Sequence, residues 1–291
     1  MDTRNLARRA GLLYALASST APFSYLYVPG VLLVQGNALA TADRVRASES
    51  LLRAAIIGEL YSATLLVFAA VALYQLFKSV DQKTSLLMAA MILISVPISY
   101  VNALNNIVPL VLLKSPAIAA VLDPRPMAAQ VTLFLRLHNY GLVINQIFWG
   151  LWLFPIGVLV MRSGFIPRWL AFPLFFAGAG YVLNSLGTLI LPPSLRWITE
   201  SLQILGVGEM PLFSFYLLIW GVRGYAVDRV AALLVLLSFV IGIGAVGLLM
   251  LHRIDATQYG ALVLASLVVT VGLVLRWRSD RATTRTAEAR T

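Results

Sequence analysis

The stretch RLHNYGLVINQIFWGLWLFPIGVLVMRSGFIPRW, Arg136–Trp169, decides the class of this chain. It is apolar for most of its length and closes with Arg162 and Arg168. About 20 apolar residues in a helix cross about 30 Å of hydrocarbon. The first half of the stretch nevertheless carries Arg136, His138, Asn139, Asn145 and Gln146. Polar groups in a membrane helix are costly and face a bundle interior or a cavity. The stretch therefore reads as a membrane helix with one polar side.

Similar runs recur along all 291 residues, of which 60% are hydrophobic and only 12% charged, with a mean hydropathy of +0.86. A soluble domain averages about 25% charged residues. The runs are continuous rather than alternating, which favours helices over strands, and in lipid only helices or a closed barrel leave no backbone group unpaired. The expected fold is all-α, a polytopic transmembrane helical bundle. About eight spans can be drawn: Ala10–Leu33, Leu51–Phe77, Ser85–Leu113, Val131–Met161, Pro167–Leu191, Leu202–Gly221, Val230–Leu251 and Thr257–Leu275. The third and fourth exceed what a crossing needs, so they tilt or project beyond the bilayer. Pro22, Pro97, Pro155 and Pro211 fall inside runs and are expected to bend their helices. The N-terminus has a basic start, but its apolar run is long and lacks a small-x-small cleavage site, so it reads as the first span rather than a signal peptide.

The formal charge of +10 belongs to short loops, not to a nucleic-acid surface. With the N-terminus inside, the inner segments hold fourteen Lys and Arg residues and the outer loops six. That asymmetry predicts both termini in the cytoplasm, in a bacterial inner membrane. Three segments follow: a six-helix unit over 1–224, two further membrane helices over 225–278, and a basic, disordered tail over 279–291. The last two spans carry few polar residues beyond Ser238, Ser266 and Thr270. No internal repeat is visible, which disfavours transporter folds built from two halves.

Six stretches carry a resemblance to a known family: ARRAGLLY at Ala7–Tyr14, ESLLR at Glu49–Arg53, ALYQLFK at Ala72–Lys78, the run Asn145–Trp169, GAGYVLNSL at Gly178–Leu186, and GEMPLFSFYLLIWGV at Gly208–Val222. Together they resemble a bacterial integral membrane family catalogued as domain of unknown function 4386. The resemblance covers about Asn5 to Gly224, the six-helix unit, and implies no activity. It does place Glu209 inside a motif, Gly208-Glu209-Met210-Pro211.

Counting from the run ends at 1.5 Å per residue places Glu59, Asn105, Asn106, His138, Asn139, Asn184 and Glu209 about 10–12 Å below the outer boundary. Tyr25 and Tyr27 fall near the same depth. Ser95, Ser99, Asn102 and Asn106 share one helical face at i, i+4, i+7 and i+11. These positions predict a cavity lined by spans two to six. Glu59, Glu209 and His138 are the candidate catalytic residues, since carboxylates at that depth are functional candidates by default. Asn102, Asn106, Arg136, Asn139, Asn145, Gln146, Tyr181 and Asn184 are the candidate substrate-binding residues. The competing account is packing: Asn and Ser commonly bond a neighbouring helix, worth about 0.6–2 kcal/mol. Arg53 and Arg136 can instead snorkel to headgroups.

No cysteine is present, which excludes disulfides and thiolate chemistry. Lysines lie only at span edges, against a retinal Schiff base, and the two histidines cannot build a bis-His haem within one bundle. Glu59, His138 and Glu209 could ligate a metal, but their spacing does not demand one, so no metal and no cofactor is expected. The partners expected are membrane lipids and a hydrophobic small molecule. Three functions compete: a small intramembrane enzyme using acid–base chemistry (isomerisation, cyclisation or hydrolysis) on a lipid-like substrate, a proton-coupled transporter, and a structural or accessory protein.

Overall fold

The computed structural model describes residues 3–195, 198 and 209–221. The chain divides into two units, Met1–Gly224 and Tyr225–Thr291, and every described residue belongs to the first. The seventh and eighth expected spans, the tail and the first seven residues of the sixth span (202–208) lie outside the described residues.

All regular structure among the described residues is helical. The first run is not one smooth helix. It comprises α1 (Thr3–Ser18), a π-helical segment (Pro22–Tyr27) and α2 (Val28–Leu32). Pro22 has no N–H to offer the carbonyl four residues back, and the chain widens into the π-helical turn there. Between α2 and the next span, where a loop was expected, stands α3 (Ala38–Ala47). Asn37 caps it, its side-chain oxygen accepting from Ala40 N at 3.0 Å, which satisfies one of the free donors of a helix start. Thr41, Ala42 and Val45 form its buried side.

Among the described residues, four helices are long and apolar enough to cross a membrane: Glu49–Phe77, Gln82–Lys114, the run Pro124–Ser163 and Arg168–Ile190. These match the second to fifth expected spans. The first is α4 (Glu49–Phe77). The second is α5 (Gln82–Lys114), capped by Asp81, and it continues through Pro97 and Pro109 as one helix. After the short α6 (Pro116–Ala119) comes α7 (Pro124–Leu151), then α8 (Leu153–Ser163). The interruption at Trp152 has a physical cause: Pro155 cannot donate to the carbonyl of Leu151. Gly164, at φ 71°, ends α8, a conformation that costs glycine little. A 3₁₀ turn (Arg168–Leu170) leads into α9 (Ala171–Ile190), and α10 (Glu209–Ile219) closes the described part.

Helix α5 packs between α4 and α7, α9 packs on α7, and α1 packs against α4 and α10. Small residues set these spacings. A Cβ on Gly11 would lie 2.7 Å from the carbonyl oxygen of Ser214, and one on Gly150 would lie 2.5 Å from that of Gly178. Arg8, buried in α1, donates to the carbonyl of Ile219 at 3.1 Å. It thereby satisfies a free acceptor at the C-terminus of α10. Two apolar clusters result. One surrounds Tyr14, Leu73, Phe77, Leu153 and Ile156. The other gathers Val28, Leu32, Val45, Leu52, Val131 and Leu135.

Candidate functional site

Helices α4 and α7 each bring one ionisable group to the interior. His138 Nε2 lies 2.9 Å from Glu59 Oε2, and each side chain is 1% exposed. A lone ion at this depth would bear a large desolvation cost, which a partner within hydrogen-bond distance offsets. The other carboxylate oxygen, Oε1, is buried without a hydrogen-bond partner among the described residues.

The surroundings of Glu59 are built from hydroxyls and small residues. Thr20 Oγ1 donates to the carbonyl of Gly58 at 2.8 Å, Ser24 Oγ to that of Ala55 at 3.0 Å, and Ser62 Oγ to that of Ala17 at 2.6 Å. These bonds clasp the first run onto α4 on either side of Glu59. Gly58 permits the clasp, because a Cβ there would lie 2.7 Å from Ser24 Oγ. Tyr25, on the π-helical segment, lies near Glu59. Its ring lies 5.7 Å from Trp149, which in turn lies 6.4 Å from Tyr181.

On the α7 side, Asn102 Nδ2 donates to the backbone carbonyl of His138 at 3.0 Å, and Asn105 Nδ2 donates to Asn102 Oδ1 at 3.1 Å. A narrow cleft of about 10 Å³ reaches His138, room for about one water molecule. Ser24, Asn106, His138 and Asn139 are its polar lining, and Leu52, Leu135 and the aliphatic side chains of α2 complete it.

The remaining candidates do not join this group. Asn145 Nδ2 donates to Ser95 O at 3.1 Å and to Ser99 Oγ at 2.8 Å, tying α7 to α5. Asn184 Nδ2 donates to Gln146 Oε1 at 2.7 Å, tying α9 to α7. Both sets lie seven or eight residues from His138 along α7, about 10–12 Å at 1.5 Å per residue. Asn184, expected in one layer with Glu59 and His138, therefore stands at a different level from that pair. Tyr181 is buried against Trp149 on α9, and Arg136 stands on the exposed side of α7. Glu209 opens α10, but its side chain lies outside the described residues. Among the described residues, no group of three or more His, Asp and Glu side chains could hold a metal ion.

Sequence reasoning passed over Thr20, Ser24, Ser62 and the aliphatic wall supplied by α2. The signal available was the i, i+4 spacing of Thr20 and Ser24, which places two hydroxyls on one helical face.

At opposite ends of α4 sit two ionic clusters. Glu49 accepts from Arg53 at 2.6 Å and from Lys114 at 2.8 Å. Asp81, in the turn between α4 and α5, accepts from Arg162 at 2.8 Å. The backbone N–H of Thr84 holds the Asp81 carboxyl below its usual range, and the Thr84 hydroxyl and the Arg162 guanidinium act in the same direction.

The four membrane-length helices among the described residues, two of which hold a buried carboxylate–histidine pair, define a polytopic helical membrane protein. More narrowly, the chain belongs to the family described as domain of unknown function 4386, whose model matches residues 9–221. A protein from Archaeoglobus fulgidus described as uncharacterized is 30% identical over 170 residues, covering 57% of this chain and 83% of that one. No solved structure matches.

Proposed function

We propose that this protein performs acid–base chemistry within the membrane on a small, lipid-like molecule, with Glu59 and His138 holding and passing the proton. The observation that carries this reading is the buried 2.9 Å contact between His138 Nε2 and Glu59 Oε2, with Oε1 unpartnered among the described residues. An unsatisfied buried acceptor costs about 1–3 kcal/mol, and at a working site it is the atom that takes a proton from an incoming group. A His–carboxylate pair is suited to such transfer because either member serves as acid or base. Glu209 enters the proposal from the sequence alone. The inner-membrane location and cytoplasmic termini rest on the distribution of Lys and Arg. The assignment of 1–224 as the working unit, with two added helices and a basic tail, rests on composition.

A second reading, proton-coupled transport, is favoured by the one-water width of the cleft at His138, which suits a proton better than a bulky substrate. A pH titration by infrared difference spectroscopy, on protein reconstituted in lipid, tests what both readings share. The expected result is a protonated-carboxyl band that is absent in Glu59→Gln and shifts its midpoint in His138→Gln. A spectrum identical in wild type and Glu59→Gln would leave the pair a packing contact and end both readings.

A further inference from the structure

We propose that an anionic phospholipid docks on the outward face of α7, with its phosphate on Arg136 beside the mouth of the cleft. The proposal rests on the acid–base reading only for what the lipid does there; the docking itself stands on separate observations. Arg136 is exposed and makes no hydrogen bond or ion pair among the described residues. Arg125 apart, the other described basic groups near this end are engaged: Arg53 and Lys114 with Glu49, Arg46 with Asp43, and Arg44 with the Val31 carbonyl. An exposed guanidinium without a protein partner takes an anion, and its planar fork matches a phosphate in two-point contact.

Depth identifies the source of that phosphate. Arg136 precedes Arg162 by 26 positions, about 39 Å along a helix. Arg53 precedes Lys78 by 25 positions, about 37 Å. Both spans exceed the hydrocarbon core of about 30 Å by a few ångströms at each side. Arg136 therefore stands at headgroup level. Below it, toward the hydrocarbon, the same side of α7 exposes Leu137 at 42%, Tyr140 at 43% and Ile144 at 46%. At 100° per residue these fall within about 100° of Arg136, a strip fit for an acyl chain. Asn139 lies about 60° to the other side, and it lines the cleft together with His138. A headgroup on Arg136 is thus less than one helical turn from the cleft.

Arg125 supplies the control. It shares the face of Arg136 at i−11, is exposed, and makes no bond among the described residues, but it lies about 16 Å further from the hydrocarbon. Native mass spectrometry of the detergent-purified full chain, titrated with phosphatidylglycerol or phosphatidylcholine, tests the site. Wild type should bind phosphatidylglycerol more tightly than phosphatidylcholine. Arg136→Gln should weaken phosphatidylglycerol binding about 10-fold, as loss of a charged hydrogen-bonded contact does, and Arg125→Gln should leave it unchanged. Equal binding by wild type and Arg136→Gln, equal losses in the two variants, or no preference between the lipids would each overturn the proposal. Binding read in this way does not depend on titration of Glu59, so the docking site and the acid–base reading fail separately.

Discussion

Asn102 of α5 occupies the space where Gly141 of α7 would carry a side chain; a Cβ on Gly141 would overlap the Asn102 carboxamide. From that position Asn102 donates to the His138 carbonyl and accepts from Asn105. The glycine therefore fixes how closely α5 and α7 approach at the level of the Glu59–His138 pair. Gly141→Ala should cost about 1–3 kcal/mol, the usual range for overpacking, and lower the thermal midpoint in detergent. If the variant melts like wild type, Asn102 is free to move away and does not set the spacing.

The pair itself makes a sharper prediction through a double-mutant cycle. Removing one partner of a buried ion pair costs about 3–5 kcal/mol, whereas replacing both by apolar groups is often close to neutral. Glu59→Leu and His138→Leu should each destabilise more than the double variant, measured by chemical or thermal unfolding of purified protein. Additive losses would mean that the two side chains do not interact in the folded state.

Asp81 gives a pH-dependent contribution outside the spans. Its carboxyl is held below the usual range, chiefly by the Thr84 backbone N–H, so the folded protein favours the charged form. That stabilisation is present above the ordinary aspartate pKa of about 3.9 and is lost as pH falls through the lower folded value. Asp81→Asn should therefore lower the thermal midpoint at pH 7, with the difference from wild type shrinking below about pH 4. A gap that stays constant between pH 7 and pH 3 would refute the charge effect.

How far the sequence disclosed the fold depends on which residues are asked. Spans two to five were legible because a bilayer demands long apolar helices, and the helical faces followed from 100° per residue. The face of Ser95, Ser99, Asn102 and Asn106 is indeed buried. Glu59 and His138, counted to one depth, meet, whereas Asn184, counted to the same depth, bonds Gln146 eight residues further along α7. Apolar runs mark where lipid begins, not where a helix begins, and α7 starts seven residues before its apolar run, with α3 packed beside it. The meeting of Glu59 with His138, 79 residues apart, was not legible either, since the rotation of one helix against another leaves no trace in one sequence. Arg136 was read both as a ligand group and as a snorkelling residue, and its exposed position fits the membrane surface.

The contact between α7 and α9 offers the last test, because it is built from absences of side chain. A Cβ on Gly150 would stand 2.5 Å from the Gly178 carbonyl oxygen, and one on Gly178 would stand 2.9 Å from the Gly150 carbonyl oxygen. Without a strong hydrophobic force between helices in lipid, such close backbone approach supplies the packing that holds them. The same approach keeps Asn184 within reach of Gln146, so separating the helices also leaves two buried amides unpaired, at about 1–3 kcal/mol each. Gly150→Val should therefore destabilise more than Gly141→Ala. It should also expose position 184 to a thiol-reactive label in an Asn184→Cys background, which is clean because the chain has no native cysteine. Unchanged labelling and an unchanged melting midpoint would show that α9 is held by its apolar contacts alone.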